Sequence, residues 1–199
     1  MRPTDQALLQ RLRERIAEVA SARPRQAGLT PRPPISGVAL AAAEQAIGFR
    51  LPELVRALYL DVGNGGFGPA HGLVGVLERP NADGDTLQTC YARLLGLQTE
   101  NSVWRWPTRL LPLADYGCGM WSCVDCETTD LAMILWDPNN LDANLRRDEA
   151  RLNWGNAFWD QGGSLRSWLE RWLAGEPDPE PKWPSDAWMR SRLGFTLPG

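Results

Sequence analysis

Lysine is nearly missing from this chain of 199 residues: Lys182 is the only one, and every other basic residue is arginine. Histidine is as scarce. A histidine-dependent triad would need His71 beside a nucleophile and a carboxylate that the sequence does not mark. Neither a G-x-S-x-G elbow nor an H-E-x-x-H pair occurs. The glycine turn Gly63-Asn64-Gly65-Gly66 lacks the lysine and Ser/Thr of a phosphate-binding loop and follows a helical pattern instead of a strand, which excludes that chemistry. No apolar run approaches the roughly 18 residues of a membrane span. The start MRPTDQALLQ has no apolar core of a secretory signal, so a cytoplasmic chain without membrane contact is expected.

The four cysteines, Cys90, Cys118, Cys123 and Cys126, form one C-x4-C-x2-C run plus a distant thiol. Structural zinc sites pair two ligand knuckles, and only Cys123-Val124-Asp125-Cys126 makes one here. If that pair lies in a strand, its odd spacing sends the two thiols to opposite faces. Ordinary buried thiols are the expectation, and a structural disulfide is not expected in a cytosolic chain. The sequence therefore assigns no metal ligand, no cofactor site and no catalytic residue.

What is present is a globular pattern: hydrophobic residues make up 43% of the chain, enough for one sizeable core. Leu8, Leu12, Ile16 and Val19 predict a helix from Thr4 to Ala22, followed by a proline-rich connector over residues 23–34. Ser36 caps a second helix with the stripe Leu40, Ala43 and Ile47, which Gly48 ends because glycine adopts the left-handed conformation without a Cβ penalty. Pro52 and Glu53 open a third, burying Leu54, Val55, Leu58 and Tyr59. Residues 73–77 have the apolar density of a strand. Asp85 is an N-cap for a helix carrying Leu87, Tyr91, Leu94 and Leu95. Residues 110–113, 121–126 and 131–136 then read as an antiparallel meander, since the gaps are too short for parallel crossovers. Ser164 caps a helix with Leu165, Trp168, Leu169, Trp172 and Leu173. The tail beyond it is proline-rich, yet Trp183, Trp188, Leu193 and Phe195 are too apolar for a solvated segment.

Charge is unevenly spread. Residues 1–32 hold seven arginines against Asp5, Glu14 and Glu18; arginines along one amphipathic helix form a solvated face, and direct nucleic-acid binding is not expected. Residues 110–145 contain no Lys or Arg but do contain Asp115, Asp125, Glu127, Asp130, Asp137 and Asp142. On adjacent strands and turns these carboxylates would form one surface attractive to a basic partner; equally, Asp is favoured in turns for local reasons. Of the ten tryptophans, Trp104 and Trp106 in a polar run and Trp121 in the acidic stretch are the candidates for exposure at a recognition surface. The expected contact residues are Trp104, Trp106, Asp115, Trp121, Asp125, Glu127, Asp130 and Asp137.

Glu44, Ile47-Gly48, Leu51-Pro52, Leu58-Tyr59 and Gly63-Asn64-Gly65-Gly66, in that order and spacing, resemble the SUKH superfamily, which includes fungal cell-wall-assembly regulators and bacterial toxin-immunity proteins. The resemblance implies a single α+β domain, a mainly antiparallel sheet flanked by helices, that binds another protein and is not an enzyme. It is expected over residues 35–175, preceded by a helix and connector (1–34) and followed by an extension packed on the body (176–199). The leading expectation is an immunity protein whose acidic, aromatic face neutralises a basic cognate toxin, such as a nuclease, which must itself carry a cationic surface. The alternatives are a regulatory or scaffold protein of the same family, with the first helix engaging a partner, and a metal-dependent or carboxylate-based hydrolase using the thiols or two of the acids. The apolar ends also leave room for a homodimer.

Overall fold

Leu8, Leu9 and Leu12 fall on one side of α1 (Pro3–Ser21) and are buried, while Ile16 packs at the margin. The stripe is used within the chain itself: α1 lies against α5 (Leu165–Ala174), where Arg166 pairs with the buried Asp5 and donates to the Thr4 carbonyl at 2.9 Å. The computed structural model describes residues 3–21, 30–76, 84–97, 105–141 and 154–194. Among them no helix is long and apolar enough to cross a membrane.

Helix α2 (Gly37–Ile47) begins where Ser36 Oγ accepts the Ala39 N–H at 3.2 Å and ends at Gly48, whose φ of 88° is left-handed. Glu44 then does two structural jobs. One carboxylate oxygen accepts the Leu51 N–H at 2.7 Å and the other pairs with Arg56, which fixes the entry into α3 (Glu53–Ala57). Pro52 stands just before that helix. The helix does not simply stop: it widens into a π turn over Leu58–Val62, closed by the Gly63 N–H on the Leu58 carbonyl at 2.9 Å. This seats Tyr59 inside, its hydroxyl donating to the Val74 carbonyl at 2.9 Å. The following turn is packed backbone against backbone. At Gly66 (φ 74°) a Cβ would stand 2.0 Å from the Thr30 carbonyl oxygen, so no side chain fits. Asn64 Oδ1 accepts the Val76 N–H at 2.7 Å.

The strand expected over residues 73–77 contracts to a single bridge between Leu73 and Ala114, and residue 77 lies outside the described residues. The Val74 N–H alone continues this pairing, donating to the Leu113 carbonyl at 2.9 Å, and most of the other backbone groups are bonded elsewhere. The Leu73 N–H donates to Phe67, the Leu73 carbonyl accepts from Gly66, and the Val74 and Gly75 carbonyls accept from Tyr59 and Leu87. Helix α4 (Leu87–Leu95) is capped by Thr86, not by Asp85, through a reciprocal Thr86–Thr89 capping box; Asp85 instead pairs with Arg93 at 2.6 Å.

The sheet is an antiparallel meander in the order β1-β2-β3-β4: β1 (Leu110–Gly117), β2 (Met120–Asp125), β3 (Ala132–Trp136) and β4 (Phe158–Ser164). The first three match the expected strands. The fourth was not anticipated, because its sequence FWDQGGS reads as a turn; it pairs with β3 and bulges at Gly162-Gly163. Consecutive residues of β2 from Trp121 to Asp125 are all buried, so both faces of that strand are covered. Registers Trp121↔Trp136, Cys123↔Ile134, Trp136↔Phe158 and Ile134↔Asp160 put these residues, with Asp125, on one face. Ser164 caps α5 as expected. The chain then bridges back to the edge strand through paired backbone bonds between Asp160 and Lys182 (2.7 and 3.0 Å) and forms α6 (Asp186–Leu193), capped by Ser185. A single α+β domain results.

Candidate protein-binding face

The acidic stretch folds into two tight turns, and local bonding decides which carboxylates reach solvent. After β2, Asp125 Oδ1 accepts the Glu127 N–H at 3.0 Å, while Thr128 Oγ1 donates to the Asp125 carbonyl (3.0 Å) and accepts from Ala132 (2.8 Å). That leaves Glu127 and Asp130 exposed on one turn. After β3, Asp137 is half-buried and caps the short 3-10 turn Pro138–Asn140, accepting from Asn139 and Asn140 at 2.8–3.0 Å.

Of the other expected contact residues, Trp106, Asp115, Trp121 and Asp125 lie inside. Trp106 is 4% exposed, its indole N–H donating to the Leu110 carbonyl at 2.7 Å and its ring meeting Trp136 edge-on at 5.2 Å. Trp121 is 1% exposed. The surface exposure expected of these two is therefore corrected: the polar run around Trp106 says nothing of the aromatic cluster of Trp136, Trp154 and Phe158 that it joins. Asp115 is buried and holds the Gly117 N–H at 2.6 Å, turning the chain at the end of β1. Asp125 is fully buried. Its Oδ2 accepts the Trp188 indole N–H at 2.8 Å and sits 3.0 Å from Arg192 Nε. Trp104 and Asp142 lie outside the described residues.

Arg192 is what the sequence reading missed. Its side chain is 6% exposed and divides itself between Asp125, Glu127 and the Thr108 carbonyl, clamping α6 onto the β2–β3 turn. The available signal was the spacing of Trp188 and Arg192, four apart and hence on one helical face, behind the cap Ser185. Between α6 and the sheet remains a cleft of about 410 Å³ lined in part by Glu127, Thr128, Ile134, Asp160, Trp188 and Arg192. On the face of β4 opposite Asp160, Trp183 is 48% exposed and stacks on Trp159 with centroids 4.5 Å apart.

The thiols are chemically quiet. Burial pushes Cys90 and Cys126 up to about 12, with the Asp125 carboxylate adding to the second, and drives Cys123 well above its ordinary range. Cys118 is exposed on the β1–β2 turn, and β2 ends before Cys126, so the two thiols of the C-x2-C pair do not share a strand. Among the described residues no three His, Cys, Asp or Glu side chains stand together to hold a metal ion. Tyr116, half-buried and bonded to Asp178, is likewise raised to about 12, by burial first and that carboxylate second.

Compared with known proteins, residues 34–154 match the model of the SMI1 / KNR4 family (SUKH-1). No curated protein and no solved structure matches the chain significantly. The matched span covers more than half of the chain and includes the Glu44 clasp, the π turn, the glycine turn and the first three strands: this protein belongs to the SMI1 / KNR4 family (SUKH-1).

Proposed function

We propose that the protein is a non-enzymatic binding protein, specifically an immunity protein that neutralises a basic cognate toxin through the acidic turn carrying Glu127 and Asp130. Family membership supports a role that is not catalytic. The observation that carries the reading is the exposure of Asp130, beside a half-exposed Glu127 that also pairs with Arg192, on a turn within residues 110–141, a stretch with no Lys or Arg of its own. Such a surface raises the encounter rate of a cationic partner and disfavours acidic ones.

The regulatory alternative used α1 as a free arm, and the burial of Leu8, Leu9 and Leu12 against the body weighs against that use. Gene neighbourhood separates the two roles, because an immunity gene sits beside a toxin gene. The direct test combines Asp130→Lys with Glu127→Gln and measures affinity for the toxin encoded next to this chain. The expected result is a loss of roughly tenfold or more, equivalent to about 1.4 kcal/mol, greater at low salt. Undiminished affinity would remove this turn from the interface.

A further inference from the structure

The cleft beneath α6 lies only partly within the family match. Asp160, Trp188 and Arg192 on its wall come from β4 and α6, beyond residue 154. Its volume of about 410 Å³ is at the small end of the roughly 300–1,000 Å³ range of ligand pockets. That suits a single long side chain with its flanking backbone better than an extended ligand.

Its charges do not balance. Among the described residues that line it, Arg192 is the one cation, against the carboxylates Glu127 and Asp160, and it is already committed to Glu127 and to the buried Asp125. Asp160 Oδ1 accepts the Gly162 N–H at 2.7 Å, and the carboxylate has no ion pair among the described residues. A carboxylate in a cleft favours a second cation. Trp188 adds an aromatic wall: its indole N–H is taken by Asp125, so what it offers to an occupant is ring surface, the partner that a guanidinium plane prefers. Arg192 already shows that this corner accommodates a guanidinium.

We propose that this cleft takes an arginine side chain of the basic partner, with the guanidinium on Asp160 and the stem along Trp188. This rests on the binding reading above and places partner discrimination in the C-terminal elements beyond the family match. Once bound, the guanidinium would be partly desolvated, where its attraction to Asp160 exceeds that of a surface pair.

The test is an NMR titration of the full-length ¹⁵N-labelled chain with the peptide acetyl-Gly-Arg-Gly-amide and its Gln counterpart. The Trp188 indole and the Ser185 and Thr128 amides are followed. Saturable shifts with the arginine peptide alone, weakened roughly tenfold by Asp160→Asn and retained by Asp160→Glu, are the expected result. Equal shifts with both peptides, no shifts at the cleft, or identical titrations of wild type and Asp160→Asn would overturn the proposal. Affinity for the neighbouring toxin is measured in parallel. Toxin binding without arginine-specific cleft shifts overturns the cleft assignment and leaves the immunity reading intact; cleft shifts with no toxin bound overturn the immunity reading and support the cleft as an arginine site.

Discussion

Asp125 shows how far a residue's type falls short of its role. Read as part of an acidic run it belongs on the surface, yet it is fully buried and satisfied by Trp188, Arg192 and the Glu127 N–H. An Asp is almost never so buried unless paired, and its partners lie far along the chain, where no local pattern connects them. Removing it takes the buried partner from Arg192, which keeps only Glu127 and the Thr108 carbonyl, so Asp125→Ala is expected to cost up to about 3–5 kcal/mol in urea unfolding. Replacing both charges, Asp125→Ala with Arg192→Met, should recover most of that loss. A second residue-scale expectation concerns Cys90, whose thiol burial pushes from 9.0 to about 12 against the lowering influence of Arg93. The native state holds this proton more tightly than the unfolded chain, so its contribution is complete below pH 9 and declines as pH rises toward 12. Between pH 8 and 10, Cys90→Ala should lose about 1.4 kcal/mol less stability than the wild type, as read from paired denaturation curves.

At the scale of elements, caps and periodicity were legible where the partners are local. Ser36, Gly48, Ser164 and Gly175 delimit their helices as the sequence implies. Asp85 and Thr86 are both good caps by type, and only the geometry chooses: Thr86 carries the box. Thr86→Ala should therefore lower stability by about 1 kcal/mol. Asp85→Ala removes a pair with the half-exposed Arg93 and a long bond from Thr89, and should cost less than about 1 kcal/mol. Thermal melts of the two variants side by side distinguish the assignments. Strand β4 was illegible because its polar and glycine residues carry no period-two pattern; it is a strand because β3 offers it an edge. The reverse holds for residues 73–76, apolar enough for a strand but bonded into the glycine turn. That turn is the most sensitive short segment. Gly66→Ala combines left-handed backbone with a Cβ at 2.0 Å from a carbonyl oxygen, and should leave little soluble folded protein by circular dichroism.

For the whole molecule, the C-terminal elements finish the sheet. Lys182 bridges the β4 edge, Trp188 meets Phe158 at 5.8 Å, Met189 is buried, and Arg192 clamps the β2–β3 turn. Ending the chain after Gly175 would uncover the Asp125 carboxylate, Phe158 and an open strand edge together, and is expected to lower the melting midpoint and raise binding of a hydrophobic dye. An unchanged melt would mean that α6 adds nothing to stability. The sequence by itself determined the family, the α+β class, the central meander and most helix ends, because these depend on periodicity, capping and turn chemistry within a few residues. Only the tertiary structure decided which acids and tryptophans face solvent. Exposure depends on what arrives from distant parts of the chain: α6 seals Asp125, the aromatic cluster takes Trp106, and Glu127 and Asp130 are left at the surface of one turn.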